Sequence, residues 1–140
     1  MQVIDLNVCL YAINKDSVLH KVAKRYLEDA LNSEEPVAFA WLVILGFMRI
    51  ATNPRIFPKP LSASQAMVVI DGWLKQPVAE VLEPGPEHWR TLKELLEESG
   101  TAGNLTTDAH LAALAIENGA KLVSFDGDFQ RFERLKTVRP

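Results

Sequence analysis

The fold is decided by residues 104–126, which read NLTTDAHLAALAIENGAKLVSFD. The Ala- and Leu-rich part predicts a helix that is capped by Thr106 or Thr107 and ends at the helix-stop pair Asn118-Gly119. The run Lys121–Ser124 then has the composition of a short buried strand. A helix that leads directly into a buried strand is the repeating unit of α/β folds, so the rest of the chain is interpreted from this unit.

The same alternation extends over the remainder of the sequence. Further strands are predicted at Val3-Ile4, Val37–Ala40, Val78–Leu82 and, at an edge, Lys136–Val138. Further helices are predicted over Asn7–Ile13, from a Ser17 cap to Leu31, over Trp41–Ala51, from a Ser62 cap to Leu74, and from Pro86 or Glu87 to Ser99. Because helices separate most of the strands, we predict a three-layer α/β/α fold around a central, mainly parallel sheet. The chain of 140 residues shows no repeat or linker and suits a single domain, 1–140.

The apolar residues of two helices predict which helix faces are buried. Val18 and Val22 belong to an apolar series at helical spacing in the first long helix, so they are expected to face the core. The helix Trp41–Ala51 is apolar on nearly every side and is expected to be buried almost all round.

Composition and charge exclude several classes of protein. With 48% hydrophobic and 24% charged residues, the chain has an ordinary core and needs no metal or disulfide to fold. The single cysteine, Cys9, excludes an internal disulfide and a Cys-based zinc site, and its apolar neighbours suggest a packing role. The net charge of −3 excludes nucleic-acid binding through bulk positive charge. Because neither a signal peptide nor a membrane-spanning run is present, we expect a cytoplasmic protein without membrane contact.

Three carboxylates fall where α/β folds place their chemistry. Asp5 directly follows the first strand, Asp126 follows the last central strand, and Asp108 opens the helix that leads into that strand. Such folds bind ligands at the carboxyl ends of their strands, so the three side chains are expected to converge. Taken alone, Asp108 would suit a helix N-terminus and Asp126 a turn, whereas Asp5 has no such simple explanation.

Clustered carboxylates predict a hard metal ion. They repel one another, so one of them would take up a proton unless a cation neutralised the group. All-oxygen ligands suit Mg²⁺ or Mn²⁺ and not zinc, and such an ion promotes phosphodiester hydrolysis. Asn7 is expected to orient Asp5 or a bound water, and Ser124 is expected to do the same for Asp126.

Four segments, spread over nearly the whole chain, resemble the motifs of one known family. Residues 5–8 (DLNV), 104–115 (NLTTDAHLAALA) and 122–129 (LVSFDGDF) resemble the ordered motifs of PIN domains. Residues 52–58 (TNPRIFP) resemble one subgroup of VapC toxins, the toxin half of bacterial VapBC toxin–antitoxin pairs. The first motif alone is weak, but the ordered set is specific.

This resemblance implies a fold, an activity and partners. It implies a PIN-like fold and an Mg²⁺- or Mn²⁺-dependent endoribonuclease that acts on an RNA substrate. It also implies a homodimer and inhibition by a cognate VapB-type antitoxin. Asp5, Asp108 and Asp126 match the acidic catalytic and metal-site positions of the family, and Asp128 is a candidate accessory acid.

Gly46 departs from the family pattern. The family usually has a Glu on the helix after the second strand, in a pattern like L-x-E-F, whereas this chain reads Ile44-Leu45-Gly46-Phe47. A natural divergence with a weaker metal site, an inactivating change and substitution by another acid are the three open explanations. We expect an attenuated or inactive enzyme rather than full activity, with metal binding restored by Gly46→Glu.

Two arginines are candidate RNA contacts. Arg49 lies three residues beyond Gly46, on nearly the same helix face, in a helix that is otherwise apolar. Arg55 follows in the loop after that helix. A basic cluster on the first long helix, Lys21, Lys24 and Arg25, is better explained as a solvated face.

Other functional classes fit less well. A haloacid-dehalogenase-type phosphatase would need a second aspartate where Asn7 stands, and a receiver domain would need an aspartate near Glu83. His110, on a helix rich in Ala and Leu, is expected to be a satisfied, partly buried histidine and not a general base. The remaining alternative is a catalytically dead PIN-like module that binds antitoxin or RNA, which the missing acid at Gly46 keeps open.

Overall fold

A computed structural model describes all 140 residues, and its centre is a five-stranded sheet in which every neighbouring pair of strands is parallel. The strands, in their order across the sheet, are β3 (Ala79–Leu82), β2 (Val37–Ala40), β1 (Gln2–Ile4), β4 (Lys121–Val123) and β5 (Lys136–Val138). The predicted parallel α/β sheet is therefore confirmed, and β5 lies at an edge as expected.

Six α-helices flank the sheet. They are α1 (Leu6–Ile13), α2 (His20–Leu31), α3 (Trp41–Ala51), α4 (Ala63–Leu74), α5 (His88–Ser99) and α6 (Leu105–Glu117). Since crossovers between parallel strands are right-handed as a rule, the strand order puts α1–α4 on one face of the sheet and α5 with α6 on the other, which gives three layers. The helix contacts agree, because α1 packs on α2 and α3, α3 packs on α4, and α5 packs on α6. None of these helices has the length and apolar character needed to cross a bilayer.

The start of α2 differs from the prediction. The Ser17 hydroxyl accepts a hydrogen bond from the backbone N–H of Leu19, which closes a turn before the helix instead of capping it. The helix therefore begins at His20. Val18 lies in that turn and is 96% exposed, and Val22 is exposed as well, so the prediction that both face the core is wrong.

The start of α6 also differs. The helix begins at Leu105 after Asn104, whose side chain makes no capping bond. Thr106 and Thr107 therefore lie inside the first turn, and the predicted threonine cap is wrong. By contrast, the Ser62 cap of α4 is confirmed, since Ser62 and Gln65 form a reciprocal capping box.

Helix α3 has the predicted bounds but not the predicted burial. Val43 and Phe47 lie in the core, whereas Trp41 is 50% and Leu45 62% exposed. The two exposed residues are four positions apart and share one face, so one apolar stripe of α3 remains open. Among the buried residues, Cys9 has no exposed surface, and its burial raises the pKa of its thiol far above the usual range, in agreement with a packing role.

The position of β1 fixes where a site can form. The crossovers through α1–α4 build outward from one side of β1, and β4 joins on its other side. In parallel sheets, the crevice at such a reversal, beyond the carboxyl ends of the strands, is where ligands bind. Because Ile4 is paired with Val123, the residues that follow these two strands are neighbours.

Candidate functional site

Asp5 is held at the carboxyl end of β1 by two hydrogen bonds. Its Oδ1 accepts from the backbone N–H of Leu6 at 2.7 Å, which caps α1. Its Oδ2 accepts from the hydroxyl of Ser124 at 2.6 Å. The residue is only 9% exposed. Each carboxylate oxygen keeps a further lone pair, so Asp5 is oriented without being saturated.

Ser124 connects the ends of β1 and β4. Besides donating to Asp5, its hydroxyl oxygen accepts from the Asn7 side-chain amide at 3.1 Å and from the backbone N–H of Asp126 at 2.9 Å. Asn7 in turn accepts from the backbone N–H of Phe125 at 3.2 Å. The expected pairing is thus corrected: Ser124 orients Asp5 and not the carboxylate of Asp126, and Asn7 reaches Asp5 only through Ser124.

Asp126 combines a turn role with a position at the site. Its Oδ1 accepts from the backbone N–H of Asp128 at 2.8 Å and so caps a short 3₁₀ helix, Gly127–Arg131. Both aspartates are exposed beyond the end of β4. The turn interpretation of Asp126 is therefore correct locally, and it leaves the second carboxylate oxygen free.

Asp108 lies in the first turn of α6, between two cavities. One cavity, of about 160 Å³, is lined by Asp5, Leu6, Leu42, Val43, Gly46, Arg49, Thr107, Asp108 and Leu111. The other, of about 380 Å³, is lined by residues 101–105 together with Asp108, Asp128 and Arg131. We call the two cavities together the acidic cleft. Asp108 thus links Asp5 on one side to Asp128 on the other.

The carboxylates of the acidic cleft and the nearby Asp126, which lines neither cavity, influence one another's ionisation. Burial, followed by repulsion from Asp126, Asp5 and Asp128, raises the pKa of Asp108 to about 6. Burial also raises the pKa of Asp5, although the bonds from Ser124 and Leu6 oppose that rise. The structure therefore brings all the predicted acids into one electrostatic group.

A direct three-ligand metal site is not formed by these side chains. No three His, Cys, Asp or Glu side chains lie in positions that could hold a metal ion. Mg²⁺ usually keeps several waters and is bound through one or two carboxylates. Mutual repulsion and an all-oxygen donor set fit a hydrated divalent cation, with water filling the distances between the acids.

Gly46 faces Leu6 inside the cleft. A Cβ atom added at Gly46 would lie 2.7 Å from Cδ2 of Leu6. The position expected to carry an acid is thus closed by an apolar side chain of α1, and no other acid lines this cavity besides Asp5 and Asp108. The contact is with the flexible end of Leu6, so a larger residue at position 46 requires Leu6 to move.

The two candidate RNA-contacting arginines occupy different places. Arg49 is exposed, lines the cavity of Asp5 and Asp108, and forms no ion pair with a carboxylate. Arg55 lies in the loop after α3 and does not line that cavity. Sequence reasoning missed Arg131, which lines the same cavity as Asp108; its only signal was its place three residues after Asp128.

Two of the three histidines, His88 and His110, form a separate cluster that joins α5 to α6. His88 lies 2.7 Å from Glu117 through Nδ1 and 2.8 Å from Nδ1 of His110 through Nε2. Burial and then the neighbouring His88 lower the pKa of His110. His110 is therefore engaged with α5, which supports its interpretation as a satisfied, partly buried histidine.

Comparison with known proteins gives concordant likenesses. The family model described as PIN domain matches residues 3–135. Ribonuclease VapC37 from Mycobacterium tuberculosis is 43% identical over 140 residues, which cover 100% of this chain and 97% of that protein. The structure of VapBC2 from Rickettsia felis, bound to a DNA fragment from the promoter, aligns with a TM-score of 0.73 at 22% identity, over 99% of this chain and 98% of that chain. VapC20 from Mycobacterium tuberculosis, a sarcin–ricin loop cleaving toxin, aligns with a TM-score of 0.73 at 18% identity, over 100% of both chains. At these identities, the two structural likenesses concern the fold.

Proposed function

The chain belongs to the PIN domain family, and from this membership and the acidic cleft we propose that it is a ribonuclease toxin of a VapBC-type toxin–antitoxin system. It hydrolyses RNA phosphodiester bonds in the cleft, with Asp5, Asp108 and Asp126 as the catalytic acids. The observation that carries this proposal is the convergence of acids: Asp5 at the end of β1 is bonded to Ser124 at the end of β4, and Asp108 lines the same cavity as Asp5. Burial and then three neighbouring carboxylates raise the pKa of Asp108 to about 6, so this group takes up a proton more readily unless a cation neutralises it.

The cation of this site is Mg²⁺ or Mn²⁺. When bound, it lowers the pKa of a water molecule and neutralises charge on the phosphate. Asp5, Asp108 and Asp126 would hold it, directly or through water, with Asp128 as an accessory acid. Ser124 keeps Asp5 oriented through its 2.6 Å bond, and Asn7 fixes the Ser124 hydroxyl, so these two side chains maintain the geometry of the site.

The arginines hold the substrate. Arg49 extends from α3 into the cavity that contains Asp5 and Asp108, with no carboxylate partner. A free guanidinium beside an acidic cleft is suited to an RNA phosphate, because it offers two parallel N–H donors. Arg55, one turn beyond the end of α3, continues this basic edge.

The partners follow from family membership. We propose that the chain, a single domain over 1–140 that acts in the cytoplasm, forms a homodimer and is inhibited by a cognate VapB-type antitoxin. The Rickettsia felis structure contains a VapBC assembly, which supports a partner of this kind. The open apolar stripe of α3 supports a protein interface on this face.

Gly46 limits the activity of this chain. Because residue 46 is glycine, the cleft lacks the fourth carboxylate that the family pattern provides, and Leu6 fills the space beside it. We therefore expect cation binding that is weaker than in a relative with that acid. Gly46→Glu alone must displace Leu6, so restoration of metal binding is expected in Leu6→Ala/Gly46→Glu.

Incubation with RNA tests the proposed function. The purified, antitoxin-free chain is mixed with total bacterial RNA and Mn²⁺, next to an EDTA control. Discrete fragments are expected with Mn²⁺, none with EDTA, and none from Asp126→Asn. Asp71→Asn, which removes an exposed acid on α4, is the matched control and should cleave like the parent chain.

The outcome also separates enzyme from binding module. If neither the folded parent chain nor Leu6→Ala/Gly46→Glu cleaves RNA, and both still bind it, the non-catalytic alternative would be established. Cleavage only by the double variant would identify an intact fold with a disabled site.

A further inference from the structure

A second cavity lies at the far ends of α1 and α3. It has a volume of about 230 Å³ and is lined by Ile13, Asn14, Lys15, Asp16, Ala51, Phe57, Pro58, Lys59 and Leu61. We call it the tip cavity. Since α1 rises about 1.5 Å per residue, its far end lies roughly 12 Å from Asp5. The tip cavity is thus separate from the acidic cleft but close to it.

The rim of the tip cavity is basic. Lys15 and Lys59 are both exposed, and neither forms an ion pair. The single carboxylate of the lining, Asp16, opposes these two ammonium groups. The rim of the tip cavity therefore has a net positive charge, whereas the whole chain has a net charge of −3. This local positive charge attracts a negatively charged ligand.

The floor of the tip cavity is apolar and held in place. Asn53 organises the loop, because its side chain accepts from the N–H of Arg55 and its carbonyl accepts from the N–H groups of Ile56 and Phe57. Leu61 then donates its N–H to Ala51 and closes the loop onto α3. The half-buried ring of Phe57 is therefore presented by a fixed backbone, which lowers the ordering cost of binding.

Helix α3 joins the two sites. Arg49 lines the acidic cleft, and Ala51, two residues later, lines the tip cavity. Arg55 lies in the loop between Ala51 and the rim residue Lys59. Basic side chains without ion pairs therefore occur at the acidic cleft, in the loop after α3 and at the tip cavity, in Arg49, Arg55 and Lys59.

We propose that the tip cavity takes one unstacked base of single-stranded RNA, with Lys15 and Lys59 on the adjacent phosphates, and so determines where the chain cuts. This inference rests on the proposed ribonuclease function. Proteins recognise single-stranded RNA by stacking splayed bases on aromatic side chains and by tracking the backbone with cations. Phe57 supplies the ring and the two lysines supply the cations, at a fixed distance from the acids.

Salt-dependent RNA binding tests the role of the lysines. A fluorescein-labelled single-stranded RNA dodecamer is titrated in EDTA, where no cleavage occurs, at several salt concentrations. Lys15→Ala/Lys59→Ala is expected to weaken binding about tenfold. It should also reduce the slope of log affinity against log salt by about 1.4, at roughly 0.7 for each lost phosphate contact. Lys75→Ala/Lys93→Ala, which removes two exposed lysines without ion pairs elsewhere, is the matched control and should change neither value.

Base preference tests the role of the ring. Phe57→Leu keeps an apolar side chain but removes the stacking surface, so it should weaken binding by about fivefold at an unchanged salt slope. It should also reduce the affinity differences among oligonucleotides of different base composition and redistribute the cleavage positions in Mn²⁺.

The outcomes separate this inference from the proposed function. If the parent chain binds and cleaves RNA while the tip variants match the lysine control, the tip cavity has no role and the inference is wrong. Equal losses in the tip pair and the control pair would assign the effect to bulk charge and would overturn it as well. A folded parent chain that neither binds nor cleaves RNA would remove the proposed function together with this inference.

Discussion

Leu6 and Gly46 touch where α1 starts and α3 passes over the acidic cleft. The contact is made by the tip of a flexible side chain and not by backbone, so the position tolerates a larger residue at the cost of moving Leu6. Glycine within a helix lowers stability by about 1 kcal/mol relative to alanine. Here the packing of Leu6 into the space beside Gly46 offsets that loss. The two residues therefore act as a coupled pair.

A double-mutant cycle checks this coupling. Gly46→Ala should gain little or lose stability in the parent chain, because the new Cβ meets Leu6 at 2.7 Å. In the Leu6→Ala background, the same change should stabilise the protein by about 1 kcal/mol, the helix-propensity gain. Urea unfolding of the four proteins measures the coupling energy. Equal effects of Gly46→Ala in both backgrounds would show that the two residues are independent.

Asp108 makes the metal-free protein sensitive to pH. Its pKa is about 6 in the folded chain against an ordinary value of 3.8, so the folded state takes up a proton more readily than the unfolded state. Its contribution to the free energy of unfolding is therefore least favourable above pH 6 and improves as the pH falls towards 4. In EDTA, Asp108→Asn should melt at a higher temperature than the parent chain at pH 7.5, and the difference should shrink at pH 5. A constant difference at the two pH values would contradict this assignment.

Sequence reasoning found the acids but not the bonds that hold them. Asp5 and Asp126 were predictable because residues that follow buried parallel strands share one edge of the sheet. The role of Ser124 was not, since it depends on the register of Ile4 against Val123, and register is a property of two strands that lie far apart in the sequence. The distance between Gly46 and Leu6 is likewise set by helix packing and leaves no local signal.

Helices α5 and α6 are joined by a buried polar cluster. His88 connects Glu117 to His110, and its side chain and that of Glu117 are 11% and 14% exposed. The second oxygen of Glu117, Oε1, is buried without a hydrogen-bond partner. The carboxylate thus depends on His88 for its compensation.

Removal of His88 should therefore be costly. His88→Ala leaves Glu117 buried and unpaired, and we expect a loss of about 3 kcal/mol in the free energy of unfolding. His88→Ala/Glu117→Leu removes the stranded charge and should recover part of that loss. Urea denaturation of both variants measures the difference. A double variant that is no more stable than His88→Ala would mean that the loss comes from packing alone.

The same elements show why helix bounds were easier to predict in some places than in others. The bounds of α3 and α4 were predictable because their starts depend on local signals, the end of β2 and the Ser62 capping box. For α2, a serine that can either cap a helix or close a turn does the latter, and the sequence does not distinguish the two. The outer stripe of α3 looked buried because its residues are apolar, and apolarity also suits an interface.

Exposed apolar side chains occur on two helices that pack against each other. Trp41 and Leu45 of α3 are exposed, and so are Met67 and Val68 of the adjoining helix α4. Clustered apolar side chains of this size mark protein contacts, and a second copy of the chain is the occupant that family membership suggests.

Leu45→Glu should therefore convert a dimer into a monomer of 15.6 kDa. The buried glutamate would be left without a partner in the contact, which disfavours association. Size-exclusion chromatography with light scattering measures the mass. Val18→Glu is the control, because Val18 is 96% exposed in the turn between α1 and α2. This variant should leave the mass unchanged. An unchanged mass for Leu45→Glu would place the contact elsewhere.

The bond between Asp5 and Ser124 joins positions 119 residues apart. Synthesis of the protein begins beside one half of the acidic cleft and reaches the other half only near its end. While the ribosome still holds the last strands, Asp5 lacks Ser124 and Asp126, and β1 lacks its neighbour β4. A nascent chain, or a fragment that stops before β4, therefore lacks Asp126 and the bond that orients Asp5, and it is expected to have no nuclease activity.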